Sequence, residues 1–142
     1  METSAQRPIL LVEDNPVDVD LTLRAFARHG LPCPIEVARD GEEALAWIPR
    51  WEAGATLPQV VLLDIKLPRI SGLEVLRSYR QHPVSRALPV VVLTSSAQDQ
   101  DIADAYRQHA NSYIVKPVQF EKFIDVAAQI ELYWCSLNRA PR

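Results

Sequence analysis

Five apolar runs set the rhythm of the chain. Ile9-Leu10-Leu11-Val12, Val60-Val61-Leu62-Leu63 and Val90-Val91-Val92-Leu93 are the strong ones, Tyr113-Ile114-Val115 is weaker, and Ile35 to Ala38 is short. They are continuous rather than alternating, which is what strands buried on both faces need, as in a parallel sheet between helix layers. The segments between them carry helical period and helix signals. Asn15-Pro16 offers a cap followed by a first-turn proline, and Gly30 follows the end. Asp40 caps a second helix through Glu42, Ala44, Leu45 and Trp47, ending near Pro49, with Arg50 to Gln59 as a loop. Ser71 caps a third, carrying Leu73, Val75, Leu76 and Tyr79 and stopping before Pro83; Ser96 or Asp99 opens a fourth, with Ile102, Ala103, Ala105 and Tyr106. The last helix is long, about Gln119 to Leu137, with Phe120, Phe123, Ile124, Ala127, Ile130, Trp134 and Leu137 forming one apolar stripe. Met1 to Gln6 and Ala140 to Arg142 read as frayed ends.

Strand and helix thus alternate five times, which implies a three-layer α/β fold with right-handed crossovers. Ligands of such open sheets sit at the carboxyl ends of the strands. There the sequence places Glu13-Asp14 after the first run, Asp64 after the third, Thr94 after the fourth and Lys116-Pro117 after the fifth. Singly, each has a bland explanation, since an acidic residue after a strand often just caps a helix. Together they make a chemical site. Two carboxylates ~4 Å apart repel by about 4 kcal/mol at an effective dielectric near 20, so a cluster needs a cation. Mg²⁺ prefers a few carboxylates plus water and would also neutralise a phosphoryl oxygen. Lys116 adds positive charge and Thr94 a hydroxyl donor, leaving Asp64 as a carboxylate nucleophile able to form an acyl phosphate.

Composition narrows the alternatives. The 142 residues suit one domain, 1–142, with a core of about 8–132 and a helical extension of about 133–138. A net charge of −3 argues against nucleic-acid binding as the main activity. No apolar run approaches a membrane span, and the first residues lack a secretory h-region, so a cytoplasmic protein is expected. Cys33 and Cys135 have neither Cys-x-x-Cys spacing nor nearby metal-spaced histidines, and read as free thiols; nothing in the sequence supports a bridge between Cys135 residues of two chains.

Leu11-Val12-Glu13-Asp14, Asp40-Gly41-Glu42-Glu43-Ala44, Leu62-Leu63-Asp64, Leu67-Pro68, Ser71-Gly72-Leu73, Leu93-Thr94-Ser95 and Lys116-Pro117 follow one another in an order and spacing that resembles the receiver domains of two-component response regulators. The resemblance runs from Ile9 to Leu132. It implies a flavodoxin-like, doubly wound (βα)5 sheet of order 2-1-3-4-5. It implies Asp64 as phosphoacceptor, Asp14 as a direct Mg²⁺ ligand, Glu13 as a ligand through water, and Lys66 offering its backbone carbonyl. It further implies Thr94 and Tyr113 as a switch pair, Lys116 as the phosphate-binding lysine, and a cis bond between Lys116 and Pro117. The expected partners are a sensor histidine kinase and a downstream protein or phosphotransfer protein. The expected catalysis is confined to the chain's own phosphorylation and dephosphorylation. The Glu-Asp-Asn-Pro start, the longer loop before Leu57-Pro58, the stretch Leu88 to Thr94 and the Tyr133-Trp134 helix end are similar to single-domain regulators paired with bacterial phytochrome kinases.

Two other functions compete with this one. A haloacid-dehalogenase phosphatase needs a second Asp two residues after its nucleophile, where this chain has Lys66, and a cap domain for which there is no room. A phosphorylation-independent scaffold has no use for the set Glu13, Asp14, Asp64, Thr94 and Lys116. Lys66 departs from the small polar residue common at its position and, with Ser96, flanks the path of a hydrolytic water; a basic group there is expected to slow phosphoryl loss. No output domain follows Leu137, so the output is expected to be a protein contact. Tyr133, Trp134 and Leu137 extend past what a receiver needs and favour a homodimer contact over packing on their own domain. His29, His82 and His109 fall at expected helix ends and suit dipole contacts; Trp47 and Trp51 suit core or loop cover.

Overall fold

The computed structural model describes residues 7–28 and 33–139. His29, Gly30 and the chain ends, about which the sequence makes its own suggestions, lie outside the described residues. Five parallel strands, β1 (Ile9–Val12), β2 (Ile35–Ala38), β3 (Val60–Leu63), β4 (Val90–Thr94) and β5 (Ser112–Val115), form one sheet in the order β2-β1-β3-β4-β5. The helices are α1 (Pro16–Ala27), α2 (Gly41–Glu52), α3 (Gly72–Gln81), α4 (Asp99–Arg107) and α5 (Phe120–Ile130).

The continuous runs divide their residues between two cores, as the pleat requires. Ile9, Leu11, Val60, Leu62, Val91 and Leu93 face α1 and α5 with Phe26, Phe123 and Ala127. Leu10, Val12, Val61, Leu63, Val90 and Val92 face the other layer with Ala44, Ile48, Val75, Leu76, Tyr79 and Ala105. Caps fix where the helices begin. The Asn15 side chain accepts from the N–H groups of Val17 and Asp18, Asp40 accepts from Glu43, and Ser71 and Glu74 form a reciprocal capping box. Helix α4 opens at Asp99, one of the two starts the sequence offers, with Gln98 at the cap position and no side-chain cap bond.

Two boundaries differ from the sequence reading. Helix α2 runs through Pro49 to Glu52. Proline removes one helical donor, but Trp51 beyond it is buried and packs edge-on against Tyr79 at 5.4 Å, so the extra turn is stabilised by burial. Trp47 stacks on Trp51 at 5.9 Å and is covered by the Arg50 guanidinium. Helix α5 does not stay regular: Glu131–Leu137 continue it as a π-helix. The wider turn breaks the expected stripe. Trp134 and Cys135 pack on the α1/α5 core, while Leu137, placed on that stripe by spacing, is 62% exposed beside Leu132 and Tyr133.

Candidate functional site

The parallel ladder continues one residue beyond the strands and holds the site in place. The backbone N–H of Glu13 donates to Ala38, that of Asp64 to Val12, and that of Lys116 to Thr94, at 3.0, 3.0 and 2.7 Å. Glu13, Asp64, Thr94 and Lys116 therefore converge at one edge of the sheet on backbone that has no freedom to wander. Thr94 is fully buried and Asp64 nearly so.

Asp64 is bonded at both oxygens. Its Oδ1 accepts from the Thr94 hydroxyl at 2.8 Å and from the Lys66 backbone N–H at 2.9 Å; its Oδ2 accepts from Lys116 Nζ at 3.2 Å. The same ammonium bonds Glu13 and lies 3.2 Å from Asp18. Three carboxylates share one cation in a pocket largely closed to water. Burial raises Glu13 to about 7 from 4.5; the Lys116 hydrogen bond and the Asn15 N–H pull it down, and the Asp64 charge adds to the rise. Burial disfavours the Lys116 ammonium, but the Glu13 bond and the Asp64 charge outweigh it and hold Lys116 above its ordinary value.

Asp14 is exposed at the rim, outside this cluster. Among the described residues no three acidic or histidine side chains are gathered into a metal cage; the Lys116 ammonium occupies the centre where the carboxylates meet. The donor chemistry nonetheless fits a hard divalent cation. All the available ligands are oxygens, the donor set a hard divalent cation prefers, and three carboxylates there share a single ammonium.

The Lys66 side chain pairs with Asp101 at 3.1 Å. Asp101 also accepts from the Ser96 hydroxyl at 2.5 Å, and the Tyr113 hydroxyl donates to the Ser96 carbonyl at 2.9 Å. This chain links the loop after β3, the start of α4 and the middle of β5. Its partners hold the Asp101 carboxyl below its ordinary value, the Ser96 bond first and Lys66 second.

The Lys116–Pro117 bond, for which resemblance implies cis, is trans, since no described peptide bond is cis. Trans is the intrinsic preference of such bonds by about 0.5–1 kcal/mol, and from this path the Lys116 amine already reaches Glu13, Asp18 and Asp64. Tyr133 packs edge-on against Trp134 at 4.8 Å, but the two differ: Tyr133 is half exposed and Trp134 leans on its own domain. His82 closes α3 with Nδ1 2.8 Å from the Ser78 carbonyl, a helix-end role as expected.

Two contributors escaped the sequence reading, and a third, Gly72, entered it only within the Ser71-Gly72-Leu73 motif. Asp18 joins the cluster from the first turn of α1; its one signal is that it stands four residues after Asp14. Asp101 gave no signal, because its partners come from distant segments. Gly72 is required by close approach: a Cβ there would lie 2.2 Å from the Asp64 carbonyl oxygen. Its N–H donates to the Ile65 carbonyl at 3.1 Å, so α3 starts hard against the backbone that carries Asp64.

Comparison with known proteins supports this picture. The probable methanogenesis regulatory protein FilR2 of Methanothrix harundinacea is 46% identical over 134 residues, covering 94% of this chain and 86% of that protein. Response regulator Rcp1 of Synechocystis is 31% identical over 142 residues, covering 99% and 97%. Its Mn²⁺-bound crystal structure superposes with a TM-score of 0.85. The phosphorylated cyanobacterial phytochrome response regulator RcpA superposes with a TM-score of 0.89 at 36% identity, covering 97% of this chain and all of that one. Residues 9–128 match the response regulator receiver domain family, and the chain belongs to it.

Proposed function

We propose that Asp64 accepts a phosphoryl group from a sensor histidine kinase and that the chain signals by the change this makes in one of its faces. One observation carries the reading: a buried carboxylate at the carboxyl edge of the sheet, bonded at one oxygen by Thr94 and the Lys66 N–H and at the other by Lys116. An Asp64 oxygen attacks phosphorus, the phosphorus–nitrogen bond to the donor imidazole breaks, and the imidazole leaves with a proton. Lys116 and Thr94 then donate to phosphoryl oxygens instead of to the bare carboxylate. A divalent cation, Mg²⁺ here, would be held by Glu13, Asp14, Asp64 and the Lys66 carbonyl, and supplies neutralisation of the phosphoryl charge. The chain has no other catalytic role.

Thr94 and Tyr113 act as the switch. Once the Thr94 hydroxyl moves to the phosphoryl group, the segment through Ser96 shifts, and Ser96 holds both Tyr113 and Asp101. Helix α4 suits such a shift: among its described residues only Ala105 is fully buried, so little packing resists displacement. The face of α4, β5 and α5 changes its affinity for a downstream protein by population shift. Lys66 slows hydrolysis of the acyl phosphate, so Lys66→Asn shortens its lifetime. The likeness to RcpA favours a phytochrome kinase as donor, in the cytoplasm. The exposed Leu132, Tyr133 and Leu137, beside a groove of about 580 Å³ lined by Ile114, Val126 and Ile130, favour a homodimer. Truncation after Leu132 should then halve the solution mass.

Intact mass after incubation with acetyl phosphate and Mg²⁺ tests the central claim. A single phosphoryl adduct that needs both the metal and Asp64 is expected, with none on Asp64→Asn. A folded wild-type protein that takes up no phosphoryl group would favour the scaffold reading instead.

A further inference from the structure

Along the chain neither cysteine has a partner in reach, since 102 residues separate them. The fold brings them together. Cys33, two residues ahead of β2, has its sulfur 3.1 Å from that of Cys135 in the π-helical end of α5. Both are free thiols. This is the edge of the sheet opposite Asp64, where the strands begin.

We propose that Cys33 and Cys135 form a redox site whose oxidation to an intramolecular disulfide pins the π-helical segment Glu131–Leu137 to the amino edge of the sheet. Three observations carry it. The sulfurs already adjoin, so bond formation needs little rearrangement of backbone that is otherwise well packed: Cys33 is buried and Cys135 lies against the same core cluster. The Gln59 amide donates to the Cys33 sulfur at 3.1 Å while also donating to the Arg7 carbonyl at 2.7 Å, so the donor at that sulfur is itself held in place. The segment that would be pinned bears Leu132, Tyr133 and Leu137, which are exposed and anchored by Trp134 and Cys135.

The chemistry assigns the two thiols different parts. The hydrogen bond between the two sulfurs lowers the Cys33 pKa, against burial and the Glu131 charge, with Gln59 helping; the same bond raises that of Cys135. The Gln59 amide, itself held by the Arg7 carbonyl, donates to the Cys33 sulfur and favours the thiolate there, which makes Cys33 the nucleophile and Cys135 the resolving thiol. With a peroxide as oxidant, the Cys33 thiolate attacks one peroxide oxygen, the O–O bond breaks, and the other oxygen leaves as water or an alcohol. The Cys135 sulfur then displaces the hydroxyl of the Cys33 sulfenic acid, forming the S–S bond and releasing water. Two thiol hydrogens are lost and the peroxide takes up two electrons. A thiol reductant reverses the step.

The test treats the intact, folded chain with hydrogen peroxide, then blocks remaining thiols and measures mass and peptide linkage. Expected is a loss of two hydrogens, one Cys33–Cys135 linked peptide pair, no covalent dimer, and full reversal by dithiothreitol. Amide exchange across 131–137 should slow several-fold on oxidation and return on reduction. Cys135→Ser should instead stop at a Cys33 sulfenic acid, trapped by dimedone, with no link. Asp64→Asn should cross-link as the wild type does. A folded wild-type chain that yields only Cys135–Cys135 dimers, or only over-oxidised cysteines, would overturn the proposal. So would a Cys33–Cys135 link that leaves exchange in 131–137 unchanged.

Discussion

The two edges of the sheet solve the problem of polar groups in opposite ways. At the amino edge, Arg7 donates to the carbonyls of Leu57 and Pro58 at 3.0 and 2.9 Å, and Gln59 donates back to the Arg7 carbonyl at 2.7 Å. A cation is met there by neutral carbonyls, and the bonds tie the loop before β3 to the start of β1. At the carboxyl edge, Glu13, Asp18 and Asp64 crowd around a single ammonium. One edge is closed by its own chain. The other keeps surplus negative charge in a buried place, at a cost to stability that a bound cation would relieve. Polar density alone does not mark a functional edge; charge that the fold leaves uncompensated does.

The strongest way to break this contrast is to remove the ammonium. Lys116→Met should destabilise the metal-free protein by about 3–5 kcal/mol near neutral pH, since buried carboxylates lose their partner. Much of that loss should return with millimolar Mg²⁺ or at acid pH; urea unfolding with and without metal measures it. The same variant should take up phosphoryl groups from acetyl phosphate far more slowly. If destabilisation is small and metal-independent, the cluster is not held together by this charge. Gly72→Ala should cost about 1–3 kcal/mol by overpacking against the Asp64 backbone. It should also slow phosphoryl uptake, because the peptide it displaces carries the acceptor; paired measurements of unfolding and adduct rate separate the two effects.

Arg7→Met sharpens the comparison from the other side. It should cost about 1–2 kcal/mol, the worth of charge-assisted bonds to backbone, and leave the rate of phosphoryl uptake unchanged. The metal-free site should also make stability depend on pH. Glu13 has its folded pKa raised from 4.5 to about 7, so its contribution to stability is full below 4.5 and is lost as pH rises through about 7. Metal-free stability should therefore decline across that window, and Glu13→Gln should flatten the decline. A pH series of thermal melts in chelator, repeated in Mg²⁺, checks this; an unchanged slope in the variant would place the titration elsewhere.

Much of the fold could be read from local pattern, because burial on both faces writes itself into strands as unbroken apolar runs. Ile9 to Val12 and Val60 to Leu63 have the bounds their composition suggests, and Asn15, Asp40 and Ser71 cap their helices because capping depends on neighbours a few residues away. The strand-end rule leads to Glu13, Asp14, Asp64, Thr94 and Lys116, of which Asp14 stands exposed outside the cluster. The receiver family, inferred from the ordered motifs around them, is the family that residues 9–128 match. Local pattern failed where packing overrode it: Pro49 did not stop α2, and the end of α5 widened into a π-helix that turned Leu137 to solvent.

Patterns a few residues long dictate where the strands end and so which residue types arrive at the carboxyl edge, while the strand order came from the resemblance to receiver domains. Long-range packing sets how they share charge: Asp18 enters the cluster, the Lys116 ammonium sits at its centre and Asp101 takes the Lys66 side chain; at the other edge it brings Cys33 to Cys135 across 102 residues. Those contacts join segments far apart in the chain. Their energies depend on distance and burial, which no local pattern encodes.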